Sequence, residues 1–251
     1  MKARVSIIIP TLNEDYALAA MLPALRHEFP DAEVIVADGG STDNTLAVAH
    51  AADRVLTAPR GRATQMNTGA SAAAGCVFWF LHADSVPPSD ALCRIEETLA
   101  SGCCGGCFRI SFDDPAFVFR ISDAIGNFMV DLTGIAYGDH GIFCTREAFQ
   151  GAGGYPDVSI FEDADLYRAL GRFGAVSQAH ASIFTSARRY HAHGPWRTTF
   201  AYIALTVLYV LGCPHRFLAR MYKFFFPANV REAGPNGSAL RPAIPQRSSP
   251  L

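Results

Sequence analysis

The stretch VSIIIPTLNE, residues 5–14, decides the fold of this chain. Val5 to Ile9 is an apolar run dominated by β-branched side chains, which is typical of a strand buried on both faces of a parallel sheet. The polar segment PTLNE ends that strand, and Asp15 to His27 then carries apolar residues at helical spacing. A strand, a polar turn and a crossover helix form the repeating unit of a doubly wound α/β sheet.

The same order of strand and helix recurs through the first hundred residues. Further strands are predicted at Val34–Ala37, Val55–Leu56 and Val77–Leu81. Further helices are predicted from Ser41 or Thr42 through Ala52, at Gly61–Ala74 and at Asp90–Ala100. After Gly105 the order is less regular, with helices predicted at Phe117–Val130 and Asp163–Phe173. The pattern predicts a mostly parallel, doubly wound α/β sheet flanked by helices.

Composition restricts the class of protein. The chain has 251 residues, of which 50% are hydrophobic and 18% charged, so it can bury a sizeable core. A net charge of -2 and the absence of a basic run argue against nucleic-acid binding. Seven cysteines without a paired framework indicate a reducing, cytoplasmic compartment. The N-terminal apolar segment is too short for a signal peptide.

The C-terminal region predicts apolar and amphipathic helices at about residues 198–228. The window Thr199 to Gly212 is the most apolar of the chain, but it is shorter than the roughly 20 residues that span a bilayer. Basic residues and phenylalanines alternate just after it, a composition that suits the surface of an anionic membrane. We therefore expect peripheral contact with the inner face of a membrane, and the composition of residues 229–251 predicts a disordered tail.

Three polar signatures follow predicted strands, where a parallel sheet exposes its ligand-binding edge. They are PTLNE at 10–14, ADGGSTDNT at 37–45 and FLHADS at 80–85. Asp38 is placed to accept hydrogen bonds from a nucleobase or ribose, and Asp84 to bind Mg or Mn on a diphosphate. Each residue alone also fits a structural role, Asp38 in a Gly-Gly turn and Asp84 as a cap.

Basic residues add a candidate phosphate site. Gly61 and Arg62 begin a predicted helix, whose free N–H groups suit phosphate, although a solvated loop explains them as well. Arg188 and Arg189 are placed to close over a diphosphate, with His191 or His193 near the metal, or else form a basic surface turn. Neither GxGxxG nor GxxxxGK[ST] occurs, which disfavours dinucleotide oxidoreductases and P-loop NTPases.

Two further clusters have competing interpretations. Glu162 and Asp163 provide either a catalytic carboxylate or an acidic pair that stabilises the start of a helix. The segment CCGGC, residues 103–107, fits a metal or arsenic thiolate site less well than a buried strand of small residues.

The ordered set of motifs from Val5 to Gly174 resembles the inverting family-two glycosyltransferases, which have the GT-A fold and use nucleotide-diphosphate sugars. SIIIPTLNE resembles the opening strand and nucleotide loop of the family, ADGGSTDNT its second-strand motif, and HAD at 82–84 a variant of its DXD metal motif. GDHGIFCTREAF, GGY and FED resemble the acceptor loop and the motif that carries the catalytic base. SARRYHAHGPWRTT, residues 186–199, resembles a subgroup named for arsenosugar biosynthesis.

The resemblance implies a role for each matching residue. Asp163 would be the general base and Asp84 the ligand of Mg or Mn, since His82 replaces the first acid of the DXD motif. The donor contacts would be Pro10, Thr11, Asn13, Glu14, Asp38, Gly61, Arg62, His82, Ala83, Asp84 and Arg188. The acceptor contacts would be Asp139, His140 and Glu162.

The resemblance also implies one domain and a donor class. We expect a single domain at residues 1–228, with a nucleotide-binding half at about 1–104, an acceptor half at about 105–197 and the helices at 198–228. The donor would be a UDP or GDP sugar, and the hydroxyl acceptor stays open, with a lipid-linked acceptor among the alternatives.

Two other classes of protein stay open at this point. A nucleotidyltransferase acting on a sugar phosphate would carry a Gly-rich, basic loop after its first strand, and PTLNEDY lacks one. A non-catalytic protein of the membrane surface would need only the aromatic and basic C-terminal segment, and it would leave the polar signatures unexplained.

Overall fold

The computed structural model describes residues 4–227, so the tail predicted at 229–251 lies outside the described residues. Its centre is a sheet of seven strands in the order β3-β2-β1-β4-β6-β5-β7. The strands are β1 Val5–Thr11, β2 Glu33–Asp38, β3 Arg54–Thr57, β4 Val77–Phe80, β5 Gly105–Phe112, β6 Phe143–Thr145 and β7 Val176–Thr185. The predicted α/β class with a mostly parallel sheet is confirmed.

Helices cover the sheet. The helices are α1 Asp15–Glu28, α2 Thr45–Ala49, α3 Arg62–Ala72, α4 Ala91–Ala100, α5 Phe117–Thr133, α6 Arg146–Gly151, α7 Glu162–Phe173, α8 Arg188–His193, α9 Pro195–Val210 and α10 His215–Phe225. A short 3-10 turn, Gly138–His140, precedes β6.

The topology gathers one set of loops at one edge of the sheet. Strands β1 to β4 are parallel, so the segments after them leave at their shared carboxyl edge. Strand β6 runs antiparallel to β4, which brings the 3-10 turn before β6 to that same edge. Strands β5 and β7 are antiparallel to β6 and parallel to each other, so the segment after β7 also begins there.

The core lies on both faces of the sheet. Strand β4 is buried throughout, with Trp79 packed in one layer and Phe78 and Phe80 in the other. Burial on both faces explains why β1, β2 and β4 read as continuous apolar runs instead of alternating patterns.

Several predicted helix boundaries were wrong, and the starts of α2 and α9 show the physical reasons. Helix α2 begins at Thr45 and not at Ser41 or Thr42, because the Ser41 hydroxyl binds Asp38 and the Asp43 carboxylate binds the N–H of Thr45. Helix α9 begins at Pro195, ahead of the predicted start at about residue 198, since proline suits the first turn of a helix.

The last helices form a separate layer. Residues of α9 and α10, among them Leu205 and Leu218, pack on Phe161 and Ala164 at the start of α7. Within residues 4–227, no helix has the length and apolar character needed to cross a membrane.

Candidate active site

The loop after β2 is held closed by Asp38. One carboxylate oxygen accepts the N–H groups of Gly40 and Ser41, both at 2.9 Å, and the other accepts the hydroxyls of Ser41 and Thr11. Burial alone would raise the pKa of Asp38, but these hydrogen bonds outweigh it and the pKa is lowered. Asp38 is therefore an ionised acceptor that fixes the shape of its loop.

The loop after β1 is locked to the loop after β2. Asn13 adopts a positive φ of 57°, and its side-chain oxygen accepts the N–H of Thr42 at 2.8 Å. The N–H of Asn13 donates to Ser41, and that of Glu14 donates to Thr45. The two segments predicted to bind a nucleotide thus form one preorganised surface.

A buried glutamine supports this surface from below. The amide of Gln65 in α3 donates to the carbonyl of Thr11 at 2.7 Å and to that of Ala37 at 2.8 Å, at the ends of β1 and β2. Pro10 pairs with Ala37 in the same register, so it lies at the base of the surface. No sequence signal pointed to Gln65, because a lone glutamine in a helical pattern looks like a surface residue.

The segment after β4 places His82, Ala83 and Asp84 at the same edge. Asp84 is 35% exposed, and one oxygen lies 3.3 Å from the guanidinium of Arg188. The ring of His82 turns inward, and its Nε2 is buried with no hydrogen-bond partner among residues 4–227. Burial and the charge of Arg62 lower the pKa of His82 to about 4, so the ring is neutral.

Helix α7 delivers Asp163 to the cleft. The residue before the helix, Phe161, has a φ of 67°, and its ring stacks on Tyr209 with the centroids 4.8 Å apart. A left-handed conformation is unfavourable for a phenylalanine, so this packing stabilises it. The turn directs Glu162 and Asp163 inward, where both side chains are buried.

Asp163 is the most strongly perturbed carboxyl at this edge. It is 5% exposed, and burial followed by the charge of Glu162 raises its pKa to about 7, while Arg62 and the N–H of Gly138 act in the opposite direction. Its Oδ1 is buried near the hydroxyl of Tyr155, which is buried as well. Neither atom has a well-formed hydrogen bond within the described residues.

Gly138 allows the buried groups to meet. A Cβ at this position would lie 2.4 Å from Nε2 of His82 and 2.7 Å from Oδ2 of Asp163. Any larger residue would therefore collide with both, and the glycine keeps the imidazole and the carboxyl facing one small space.

The guanidinium of Arg62 and the first N–H groups of α3 lie at the rim of the cleft. The guanidinium of the half-exposed Arg62 lies 3.8 Å from Glu162, and the charges of Asp163 and Glu162 raise the pKa of Arg62. Gly61, with a φ of 148°, is the residue before α3, so the free N–H groups of that helix face the same rim.

Three candidate histidines, His140, His191 and His193, do not point into the cleft. Asp139, in contrast, contributes a buried Oδ1 that has no hydrogen-bond partner among the described residues. The neighbouring ring of His140 is 1% exposed and its Nδ1 lies 3.0 Å from the carbonyl of Phe108, so it packs against β5. His191 lies 3.0 Å from Asp114, and the ring of His193 packs on Phe226.

The residues present suit a divalent ion that is held mainly by the phosphates of a bound substrate. Residues 4–227 contain no cluster of three or more His, Cys, Asp or Glu that could hold a metal alone. The half-exposed Asp84 carboxylate is accessible to a cation, as its contact with Arg188 demonstrates. One carboxylate plus substrate phosphates is a frequent way for proteins to bind Mg, so the donor set suits such an ion.

The cysteines form no site. All seven are free, and Cys107 and Cys144 are buried with the pKa of each thiol raised by burial. Strand β5 begins within CCGGC, at Gly105, as the interpretation of a buried small-residue strand requires.

Comparison with known proteins gives a consistent result. The family model described as Glycosyl transferase family 2 matches residues 6–149, which is more than half of the chain. Among curated proteins, PGL/p-HBAD biosynthesis glycosyltransferases of Mycobacterium tuberculosis and Mycobacterium bovis are 38% identical over 100 residues, covering 36% of this chain. The match spans 39% of the length of these relatives.

Solved structures share the fold. A mannosyltransferase from Pyrobaculum calidifontis, in complex with GDP-Man and Mn2+, has a TM-score of 0.63 and 21% identity, covering 91% of this chain and 71% of its own. Glucosyl-3-phosphoglycerate synthase from Mycobacterium tuberculosis, in complex with Mn2+ and UDP, has a TM-score of 0.59 and 17% identity, covering 84% and 80%. The predicted GT-A-like fold is confirmed.

Proposed function

Because the chain belongs to glycosyl transferase family 2, we propose that it transfers a sugar from a nucleoside diphosphate sugar to an acceptor hydroxyl with inversion of configuration. The observation that carries the proposal is the carboxyl of Asp163, buried at the loop edge of the sheet with a pKa of about 7. A base with this pKa is half ionised at neutral pH and can both accept and release a proton there.

Asp163 acts as the general base. As the acceptor oxygen attacks the anomeric carbon, its proton moves to the carboxylate of Asp163, and the bond from that carbon to the diphosphate breaks. The base and the leaving group lie on opposite faces of the sugar ring, so the configuration inverts. The unpartnered Oδ1 of Asp163 is the atom available for the proton.

The cations of the rim balance the charge that develops on the diphosphate. Arg62 and Arg188 are close to the carboxylates of Glu162 and Asp84 and can exchange these partners for phosphate oxygens. A Mg or Mn ion held by Asp84 would stabilise the leaving diphosphate as a Lewis acid.

The locked loops after β1 and β2 hold the nucleoside. Thr11, Asn13 and Glu14 form one side of this surface, and Asp38 fixes the other. Since the oxygens of Asp38 already accept four hydrogen bonds, we assign it the shape of the loop first and any donor contact second. The structural neighbours that carry GDP-Man or UDP support a donor of this class.

Asp139 and Glu162 face the acceptor. The charges of both residues raise the pKa of Asp163, which supports their assignment to the same side of the cleft as the base. His140 contributes indirectly, because its ring anchors the turn Gly138–His140 to β5.

Calorimetric titration tests the proposal. The full chain is titrated with UDP, GDP and a nucleoside triphosphate, each with and without Mn, beside Asp84→Ala and a control, Asp31→Ala, whose exposed carboxylate lies ahead of β2. We expect Mn-dependent binding of one diphosphate by the wild type and the control, and its loss in Asp84→Ala. Binding of the triphosphate alone would favour a nucleotidyltransferase, and no binding at all would contradict the proposal.

A further inference from the structure

Three helices present an apolar outer face to solvent. Helices α5, α9 and α10 pack as a layer, in which the hydroxyls of Ser122 and Thr199 share a hydrogen bond of 2.7 Å. Within residues 4–227, ten of the fifteen exposed large apolar side chains lie on these helices or on the residue that ends α9. Such a concentration of exposed apolar side chains in one layer marks a candidate interaction surface.

Helix α9 carries the centre of this face. Trp196, Phe200, Val207 and Val210 are exposed and follow one another at intervals of three, four or seven residues, which places them on one side of a helix. Leu211, 73% exposed, extends the stripe. The other side of α9 is buried, so the core already accounts for its inner residues and leaves the outer stripe without a structural role.

Helix α10 adds positive charge beside the stripe. Arg216, Arg220 and Lys223 are exposed one turn after another, and exposed Phe217 and Phe224 lie next to them. No Asp or Glu occurs between Leu166 and Arg231, although the whole chain has a net charge of -2. Of the three helices only α5 carries acids, and these have partners elsewhere: Asp131 lies 4.0 Å from Arg109, and Asp123 accepts the hydroxyl of Ser111 and the N–H of Phe112. Acids on α9 or α10 therefore do not balance the positive charge of α10.

We infer that the outer face of α5, α9 and α10 docks on an anionic lipid bilayer. Phenylalanine and tryptophan side chains enter the boundary between headgroups and acyl chains, while arginine and lysine stems reach back to lipid phosphates. Exposed apolar and basic side chains on neighbouring sides of the layer meet both needs at once. The 16 residues of α9 suit a helix that lies along the surface.

A second copy of the chain fits this face less well. A twofold interface brings the same patch of both subunits together, so the unbalanced basic residues of α10 would lie near their own symmetry mates. Like charges brought together oppose association, whereas anionic headgroups complement them.

Docking would place the candidate active site next to the membrane, and this step rests on the proposed function. The hydroxyl of Tyr209 in α9 and Nε2 of His215 in α10 both bind Asp165, two residues after the proposed base. The layer is thus fixed to the start of α7. The corresponding acceptor class is a hydroxyl carried on a lipid and presented at the headgroup level.

Vesicle binding tests the docking without reference to turnover. The full chain is mixed with vesicles of phosphatidylcholine alone or of phosphatidylcholine with phosphatidylglycerol, and bound protein is measured by flotation. Trp196 reports on the face directly, because the other of the two tryptophans, Trp79, is fully buried. We expect flotation and a blue shift of the emission with the anionic vesicles only.

Charge variants then identify the surface. Each basic residue near an anionic surface contributes about 1 kcal/mol, so Arg216→Gln/Arg220→Gln should lower the partition coefficient about 30-fold. The matched control is Arg4→Gln/Arg172→Gln, which removes two exposed charges from other parts of the molecule and should bind as the wild type does. Phe200→Ser should weaken binding while all charges remain.

Three results would overturn the inference. One is the absence of binding to anionic vesicles, and another is equal loss of binding in the two charge variants. The third is a dimer in analytical ultracentrifugation that Phe200→Ser dissociates, combined with no change of Trp196 emission on vesicles. Loss of donor binding without loss of vesicle binding would contradict the proposed function and leave the docking intact.

Discussion

The loops after β1 and β2 and the start of α7 both carry carboxylates at the edge of one sheet, but their surroundings are opposite. In the loops, Asp38 accepts four hydrogen bonds and has a lowered pKa. At the start of α7, Asp163 is buried with an unpartnered oxygen among the described residues and a pKa raised to about 7. Neither carboxyl is open to solvent, but Asp163 lies deeper in the protein and receives fewer hydrogen bonds, so the two acids are different chemical groups.

The difference lies in the depth of burial, in the charge of Glu162 and in the hydrogen bonds that each group receives. N–H and hydroxyl donors replace the water that Asp38 loses, so its charged form stays favourable and the group serves as a fixed support. Asp163 receives little compensation, and the neighbouring Glu162 opposes its charge, so the protonated form becomes accessible near neutral pH. A carboxylate whose oxygens accept several hydrogen bonds, such as Asp38, suits binding. A carboxylate with few hydrogen bonds, such as Asp163, suits proton transfer.

The largest expected effect comes from Asp163→Asn. Removing the base should lower kcat by roughly 10²- to 10⁴-fold, because an amide cannot accept the acceptor proton. Donor binding, measured by calorimetry, should remain. Asp157→Asn, an exposed position in the segment before α7, is the control and should keep the wild-type turnover. Turnover of Asp163→Asn at the wild-type rate would assign the base elsewhere.

The second-largest effect is expected in the pH dependence of kcat/KM. In the wild type, kcat/KM should rise with pH through about 7 as Asp163 loses its proton. Glu162→Gln removes a negative charge that raises the pKa of Asp163, so the rising limb should move to lower pH. A limb that moves upward or does not move would separate Glu162 from the base.

Stability should change in the opposite sense to activity. The folded-state pKa of Asp163 lies above the ordinary value of 3.8, so the folded protein favours the protonated carboxyl. This contribution to stability is present at low pH and is lost as the pH rises through about 7. Asp163→Asn should therefore raise Tm at pH 8, by roughly 2–4 °C for each kcal/mol relieved, and by less at pH 5. Thermal melts at both pH values measure it, and a lower Tm at pH 8 would contradict it.

The smallest effect is expected from a substitution in the hydrogen-bonded loops after β1 and β2. Ser41→Ala removes one donor from Asp38 and one acceptor from the N–H of Asn13, which should cost about 1 kcal/mol of unfolding free energy for each bond. With the base untouched, kcat should stay within about threefold of the wild type while donor affinity falls. Denaturant unfolding and steady-state kinetics check the two parts. A loss of kcat like that of Asp163→Asn would remove the distinction between the two regions.

The sequence predicted the sheet, and the edge at which its polar signatures meet, because these signals are local. An apolar run as short as Val77–Phe80, bounded by turn residues, favours a strand buried on both faces, and the polar residues after such a strand lie at the carboxyl edge. Helix boundaries were less accurate where side chains compete with the backbone, as Ser41 and Asp43 do before α2.

The burial and exposure of individual side chains in the second half of the chain were harder to predict. Burial of Asp163 depends on contacts that are distant in the chain, such as the stacking of Phe161 on Tyr209 and the space left by Gly138. The resemblance implied that His140 contacts the acceptor, and only the structure places its ring against β5. The outer stripe of α9 was visible as an apolar window, but its exposure required the packing of α5 and α10.

The most direct test of this account is the pKa of Asp163 itself. Carbon-13 labelling of the Asp carboxyls, with Asp163→Asn to assign the resonance, measures it by NMR titration of the folded chain. We predict a resonance that is absent from the variant and that titrates near 7. Titration of that resonance near the ordinary Asp value of about 3.9 would contradict the assignment of Asp163 as a desolvated base.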